Sequence, residues 1–148
     1  MSNPENIARS VSQADLVIGA VLVAGAKAPC MVTRRMVAAM EKGSAIVDVA
    51  IDQGGSVETI RPTTHDAPVY QEEGVNHYGV TNIPGDVPIT STYALTNVTL
   101  PFAIELADKG LATALAANPA LRLGLNTHKG QLTCQAVATA LNLPFFPY

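Results

Sequence analysis

The sequence has 148 residues, enough for one ordinary domain, of which 48% are apolar and only 14% charged. This composition excludes a disordered or tail-like chain. The net charge of −3 argues against a general nucleic-acid surface and against a surface for acidic membranes. The longest apolar run, Leu16 to Ala26, has 11 residues, whereas a membrane-spanning helix needs about 20.

The start of the sequence and its cysteines favour a cytoplasmic protein. Residues 1–6 lack the basic and apolar regions of a signal peptide. Cys30 and Cys134 are too few and too far apart for a disulfide framework or a zinc site, and we expect both to be small buried residues. The histidines show no metal-ligand spacing, so no metal site is expected from His65, His77 and His128.

The first half of the chain begins with a strand, a helix and a second strand. A near-continuous apolar run predicts a parallel strand over Leu16–Leu22, covered on both faces. A helix is predicted to begin after Thr33 as N-cap and to end before Gly43. The second strand is predicted over Ile46–Ile51. The helix residues expected to face the sheet are Val32, Met36, Ala39 and Met40.

A polar stretch separates the second strand from a third. Ser56–Val75 predicts a long loop that leaves room for a short edge strand. The third strand is predicted over Asn76–Val80, followed by an ordered loop between Pro84 and Pro88. This order of elements is typical of the second half of a doubly wound, Rossmann-like parallel sheet, in the α/β class.

The remainder of the sequence predicts helices that follow the sheet. Thr90 or Ser91 can cap a helix that runs to about Ala107, and Pro101 inside it is expected to bend it. The shorter carboxyl-terminal helices are predicted over Leu111–Ala117 and Gln131–Leu141.

The stretch Ala45–Gly55 carries the strongest functional signal. It predicts a buried strand that leads to the carboxylate of Asp52, and in an open α/β sheet ligands bind at the carboxyl edge of parallel strands. Gly54 and Gly55 are expected to let the backbone pass close to a ligand. From the residues alone, Asp52 is either a turn-initiating residue or a ligand-facing carboxylate. Asp48 is expected to be a structural carboxylate.

Further segments extend this signal along the chain. In order, the set comprises Ala14–Pro29, Asp48–Gly55, Gly79–Pro84 and Thr90–Asn97. This set resembles alanine dehydrogenases and the related transhydrogenase NAD-binding subunits, and its order and spacing match over about residues 2–144. The resemblance implies an NAD cofactor and the carboxyl-terminal portion of an enzyme that converts L-alanine, NAD and water to pyruvate, ammonia and NADH.

The resemblance also implies a division of the chain. Residues 1–90 are expected to form part of a dinucleotide-binding domain, and residues 91–148 the returning long helix and the carboxyl-terminal part of a substrate domain. The sequence has no G-x-G-x-x-G phosphate loop, and the family's catalytic His and substrate-binding Arg and Lys belong to an amino-terminal half. We therefore expect the chain to be inactive alone, and to use L-alanine or pyruvate only when that half completes it.

Three interpretations of the whole chain stay open at this point. The main one is a portion of an alanine dehydrogenase that works as a homo-oligomer or with a complementing chain. The second is a fragment like the transhydrogenase subunit, which Asp52 disfavours because those subunits tend to carry an uncharged amide there. The third is a non-catalytic interaction module for a separate amino-terminal half.

By resemblance, site roles fall on the residues that follow the predicted strands. Asp52 is the expected catalytic residue, beside the nicotinamide and facing the substrate's amino group. Asn82 can offer a donor and an acceptor to the cofactor, or can simply form a turn. Arg61 is either a cofactor contact or a surface residue, and Lys27 receives no role. The full set expected to bind the cofactor is Val21, Leu22, Val49, Ala50, Ile51, Asp52, Arg61, Val80, Thr81, Asn82 and Ile83.

Overall fold

A computed structural model describes residues 3–148, which divide into two compact units. Unit 1 comprises the residues up to Val23 together with Lys27–Ile83. Unit 2 comprises Ala24–Ala26 and Pro84–Tyr148. The assignment of a cofactor domain to residues 1–90 and of a substrate-domain part to residues 91–148 stays a prediction.

Unit 1 is a four-stranded sheet with two helices. Its elements are α1 Pro4–Ser12, β1 Leu16–Gly19, α2 Arg34–Ala38, β2 Ala45–Asp48, β3 Val69–Glu72 and β4 Val75–Tyr78. The strands lie in the order β1-β2-β4-β3, in which β1, β2 and β4 are parallel and β3 is antiparallel at the edge. This arrangement confirms the α/β class with a parallel sheet, and β3 is the short edge strand within the long loop.

The helices of unit 1 begin at side-chain caps. Asn3 accepts a hydrogen bond from Asn6 N at 2.8 Å at the start of α1. Thr33 accepts one from Met36 N at 3.4 Å, which confirms it as the N-cap of α2. Ala39, which was expected to face the sheet, is exposed instead because α2 ends before it and makes it the C-cap. The core cluster consists of Val11, Val32, Val37, Met40, Ile46, Val57 and Val75.

The predicted strand ends at Leu22 and Ile51 are wrong. β2 ends at Asp48, because the Asp48 carboxylate accepts a hydrogen bond from Ala50 N at 3.0 Å and caps a 3₁₀ helix over Val49–Gln53. β1 ends opposite this point, since Gly19 pairs with Asp48 in the ladder and no strand partner follows. We call Val49–Gln53 the Asp52 turn.

Unit 2 is mainly helical, as predicted. Its long helix breaks at Gly110, where φ is +72°, whereas Pro101 keeps helical dihedral angles. No helix among residues 3–148 is long and apolar enough to cross a membrane. The elements are α3 Pro88–Ala117, α4 Pro119–Leu123, β5 Thr127–His128, β6 Gln131–Leu132 and α5 Gln135–Leu141.

Two predicted boundaries in unit 2 are wrong. The long helix begins at Pro88, which suits a first-turn position because it has no N–H to leave unpaired. Ser91 is not its cap, and its hydroxyl donates to the Pro84 carbonyl at 2.8 Å. The last helix begins at Gln135 rather than Gln131, because Gln131 and Leu132 pair with β5 in a short hairpin.

Candidate functional site

The carboxyl ends of three parallel strands meet at one edge of the sheet in unit 1. The register pairs Gly19 with Asp48 and Val47 with Tyr78, so β1, β2 and β4 end at nearly the same level. Open α/β sheets bind their ligands at such an edge. The residues predicted to form the site follow these strand ends.

The segments after β1 and β2 enclose a slot of about 290 Å³. The slot is apolar except for Asp52 and Gln53. It therefore offers apolar walls and a single carboxylate, an arrangement that suits an apolar ring with a polar or cationic group beside it. The residues that line it are Ala20, Val21, Leu22, Val49, Ala50, Asp52 and Gln53.

The carboxylate of Asp52 is free to meet a ligand. Asp52 is exposed on the Asp52 turn. It has no hydrogen-bond or ion-pair partner among the described residues. A turn-initiating Asp would bond to the backbone just after it, and the turn's capping bond comes from Asp48 instead.

Asp48 holds the Asp52 turn in place from inside the unit. Its side chain is fully buried and accepts hydrogen bonds from Ala50 N at 3.0 Å, Ser56 N at 2.6 Å and Val57 N at 3.1 Å. The Ser56 hydroxyl adds another at 3.2 Å. These neutral donors satisfy the carboxylate, whose burial would otherwise cost free energy. They confirm the structural role expected for Asp48.

The two glycines after the Asp52 turn are needed by the fold. Both adopt positive φ values, +94° at Gly54 and +78° at Gly55. A Cβ at Gly55 would overlap the Ile60 side chain, and one at Gly54 would lie 2.8 Å from Lys27 Cε. The fold therefore has its own reason for glycine at both positions, and the approach of a ligand to them stays a prediction.

Gln53 is a slot residue that the sequence analysis missed. Its side-chain oxygen accepts a hydrogen bond from Val23 N at 3.4 Å, and its backbone carbonyl accepts one from Ala28 N at 2.9 Å. Gln53 thus ties the segment after β1 to the Asp52 turn and sets the separation of the two walls. In the sequence, Gln53 is marked only by its position next to Asp52, and its contact with Val23 leaves no local signal.

Arg61 lies at the surface of unit 1 in a network of aromatic residues. Its guanidinium carbon is 3.9 Å from the centroid of the Tyr70 ring, and its backbone N–H donates to the Tyr70 hydroxyl at 2.8 Å. The Tyr70 ring stacks on the fully buried His77, with centroids 5.1 Å apart. Burial raises the pKa of the Tyr70 phenol, so the hydroxyl keeps its proton and donates to the Thr59 carbonyl at 2.8 Å.

The residues after β4 do not line the slot. Thr81 and Asn82 are exposed, and Asn82 adopts a φ of +59°, which is typical of a turn-forming Asn. Its carbonyl bonds to His65 Nε2 at 3.0 Å. Val80 is fully buried and Ile51 nearly so. Ile83 is half-buried, and contacts of this set with a cofactor stay predictions.

The cysteines differ from expectation. Cys30 is exposed and Cys134 is half-buried, so neither is the fully buried residue that its small size suggested. The reason is local: Cys30 lies in the loop after the segment that Gln53 holds, and Cys134 is the cap residue before α5. Within residues 3–148, no group of three or more His, Cys, Asp or Glu side chains is placed to hold a metal ion.

Known proteins match the chain over nearly its whole length. The family described as "Alanine dehydrogenase/PNT, C-terminal domain" matches residues 1–135. Alanine dehydrogenase of Methanococcus maripaludis is 60% identical over 99% of this chain, which spans 40% of that protein. A solved L-alanine dehydrogenase structure superposes with a TM-score of 0.80 at 50% identity, covering 95% of this chain and 39% of the other.

A more distant likeness concerns a transhydrogenase. The structure of the transhydrogenase from Sinorhizobium meliloti gives a TM-score of 0.52 at 32% identity over 57% of this chain and 23% of that one. The dehydrogenase match is better in fold, identity and coverage. The chain therefore belongs to the alanine dehydrogenase/PNT carboxyl-terminal domain family, with a Rossmann-like fold, and corresponds to the carboxyl-terminal portion of an alanine dehydrogenase.

Proposed function

We propose that this chain supplies one wall of the active site of an NAD-dependent L-alanine dehydrogenase. The observation that carries the proposal is the unpartnered carboxylate of Asp52, which lines a mainly apolar slot at the carboxyl edge of the sheet. Family membership and the match to alanine dehydrogenases support it.

The slot fits the nicotinamide end of the cofactor. Val21, Leu22 and Val49 offer apolar walls to a flat ring, and backbone groups of the Asp52 turn lie beside the same space. Arg61 presents a cation at the surface of the same unit. When bound, NAD supplies the hydride acceptor of the reaction. We find no G-x-G-x-x-G turn for a pyrophosphate in the sequence, so this chain would hold only part of the cofactor.

Asp52 has two tasks in the proposed reaction. Loss of hydride from the α-carbon of L-alanine leaves an iminium cation, and a carboxylate beside it stabilises the developing positive charge. The same carboxylate can take a proton from the water that attacks the imine carbon. Asp52 can do both because no residue of the described chain occupies its oxygens, while Asp48 and Gln53 hold the turn that carries it.

The chain is proposed to be inactive alone. It spans about 40% of the length of the curated relative it matches, and catalysis needs groups held on both sides of the substrate. We infer that it works in the cytoplasm, joined to an amino-terminal half or to complementing subunits. A fragment like the transhydrogenase subunit is the weaker candidate, because that structural match covers only 57% of the chain.

A chimera tests the proposal directly. The chain would replace the matching 40% of the Methanococcus maripaludis alanine dehydrogenase, and NADH formation from L-alanine and NAD would be followed by absorbance. We expect the chimera to be active and the isolated chain to be inactive. Asp52→Asn should lower kcat of the chimera by about 10²-fold or more, the scale expected for loss of an acid–base group.

The control variant is Asp15→Asn, which removes an exposed carboxylate between α1 and β1, outside the slot. It should leave kcat unchanged. An active chimera in which Asp52→Asn costs no more than Asp15→Asn would remove Asp52 from the mechanism. A folded but inactive chimera would favour the interaction module instead.

A further inference from the structure

Tyr70 contacts the predicted cofactor residue Arg61 in two ways. The guanidinium of Arg61 lies 3.9 Å above the Tyr70 ring, within the range of a cation–π contact. The Tyr70 hydroxyl accepts from Arg61 N and donates to the Thr59 carbonyl, both at 2.8 Å. One aromatic residue thus fixes the backbone of residues 59–61 and the far end of the Arg61 side chain.

The Tyr70 ring itself is fixed from behind. His77 stacks on it with an interplanar angle of 22°. His77 is fully buried, with Nδ1 at 2.9 Å from the Val75 carbonyl and Nε2 at 2.7 Å from the Thr59 hydroxyl. Since a carbonyl only accepts, Nδ1 donates to Val75, and Nε2 bonds to the Thr59 hydroxyl. Hydrogen bonds at both ring nitrogens orient the imidazole, and the Tyr70 ring packs against it.

The contact with Tyr70 orients the Arg61 guanidinium before a ligand binds. The guanidinium carbon of Arg61 lies over the Tyr70 ring, and the N–H groups of a guanidinium point outward in its plane, along its edge. An edge held this way can pair with a polar or anionic group at low entropic cost, whereas a mobile surface Arg must lose rotamer freedom on binding. Arg61 remains exposed, and it has no carboxylate partner among the described ion pairs.

We propose that Tyr70, backed by His77, is a positioning residue that pre-orients Arg61 for the nicotinamide cofactor. The inference rests on the proposed function, in which Arg61 touches the cofactor. Tyr70 acts through Arg61 and is not itself in contact with the ligand.

The test is a double-mutant cycle on the full chain, with NADH as the probe and its Kd measured by calorimetry. Tyr70→Leu should weaken NADH binding roughly three- to tenfold, the range expected when a cation–π contact and its ordering are lost. In an Arg61→Ala background the same change should have no further effect on Kd. Tyr93→Leu, at an exposed tyrosine in unit 2, is the matched control and should leave Kd unchanged.

A second variant keeps the test valid if Tyr70→Leu does not fold. Tyr70→Phe retains the ring and loses both hydroxyl bonds, so it should weaken binding less than Tyr70→Leu, and again only when Arg61 is present. Equal losses of affinity with and without Arg61 would show a merely structural role and overturn the inference. So would an unchanged Kd in both Tyr70 variants.

The outcome for the unmodified chain separates this inference from the proposed function. If the unmodified chain shows no saturable NADH binding, the cofactor role fails and the positioning role fails with it. If it binds NADH but the cycle shows no coupling between Tyr70 and Arg61, only the positioning role is overturned.

Discussion

The two units differ in how far their apolar residues are buried. In unit 1, Val37, Ile46 and Val75 are fully buried in one cluster around the parallel strands. In unit 2, the apolar side chains of α3 are spread around the helix rather than confined to one face, and Ile89 and Leu95 are 75% and 64% exposed. A helix that exposes apolar side chains on several faces is typical of one covered by other protein. Unit 1 thus closes its core with its own residues, whereas unit 2 has more to gain from a covering partner.

The comparison extends to cavities. The slot of unit 1 combines apolar walls with Asp52 and Gln53. Unit 2 has a groove of about 340 Å³ lined by apolar side chains of α3 and α4 with Thr99. A group that can carry charge lies only in the first of these two cavities. This difference is why the proposed chemistry belongs to unit 1 and why the predictions below start there.

Removing the buried carboxylate of Asp48 should strongly destabilise unit 1. Asp48→Ala leaves the N–H groups of Ala50, Ser56 and Val57 buried without an acceptor. We expect a loss of about 4 kcal/mol or more in the free energy of unfolding, because each unpaired buried donor costs about 1–3 kcal/mol. Urea unfolding followed by circular dichroism measures it.

The control for this change is Asp52→Asn, since Asp52 is exposed and bonds to no described residue. It should alter stability by no more than about 0.5 kcal/mol. If the two variants unfold at the same urea concentration, Asp48 is not the residue that holds the Asp52 turn.

Two isoleucine-to-alanine variants, one in each unit, measure how much the packing of the two units differs. Ile46→Ala removes a fully buried side chain from β2, and Ile104→Ala a side chain of α3 that is 50% exposed. The first should cost about 2–5 kcal/mol and the second about 0.5 kcal/mol or less. Amide hydrogen exchange read by mass spectrometry assigns each loss to its own unit. Equal costs would mean that α3 is as well packed as the core of unit 1.

The fold of unit 1 could be predicted where a local pattern determines it. The apolar runs at Leu16 and Ile46 predicted two parallel strands, and Thr33 predicted the start of α2. The end of β2 could not be placed, because Val49–Ile51 favours strand by propensity while the Asp48 side chain favours a turn. A single buried hydrogen bond to Ala50 N decided between them.

The residues of the candidate site likewise divide into those with a local signal in the sequence and those without one. Asp52 could be singled out because an acid before two glycines after a strand is a local signal. Gln53 and Tyr70 could not, because their roles depend on partners distant in sequence: Val23 for Gln53 and Arg61 for Tyr70. Val80 was assigned to the cofactor through the family resemblance, and the structure shows its side chain fully buried.

The smallest expected effect concerns an exposed ion pair in unit 2. The Glu105 carboxylate accepts from Lys109 Nζ at 2.9 Å and from Asn118 Nδ2 at 2.7 Å. The hydrogen bond from Lys109 and then that from Asn118 lower the pKa of Glu105 below its ordinary value of 4.5. A lowered pKa in the folded state adds stability above pH 4.5, and that stability is lost as the pH falls through the folded-state pKa.

Glu105→Gln tests this contribution, and it should lower the melting temperature slightly at pH 7, since exposed pairs contribute little. The difference from the unmodified chain should shrink as the pH falls through the lowered folded-state pKa of Glu105, because its carboxyl group then becomes neutral as well. Glu41→Gln, at an exposed glutamate of unit 1, is the control and should show no such trend. A difference that stays constant with pH would mean that the side chain stabilises α3 through packing or its bond to Asn118. Charge would then contribute nothing measurable at this position.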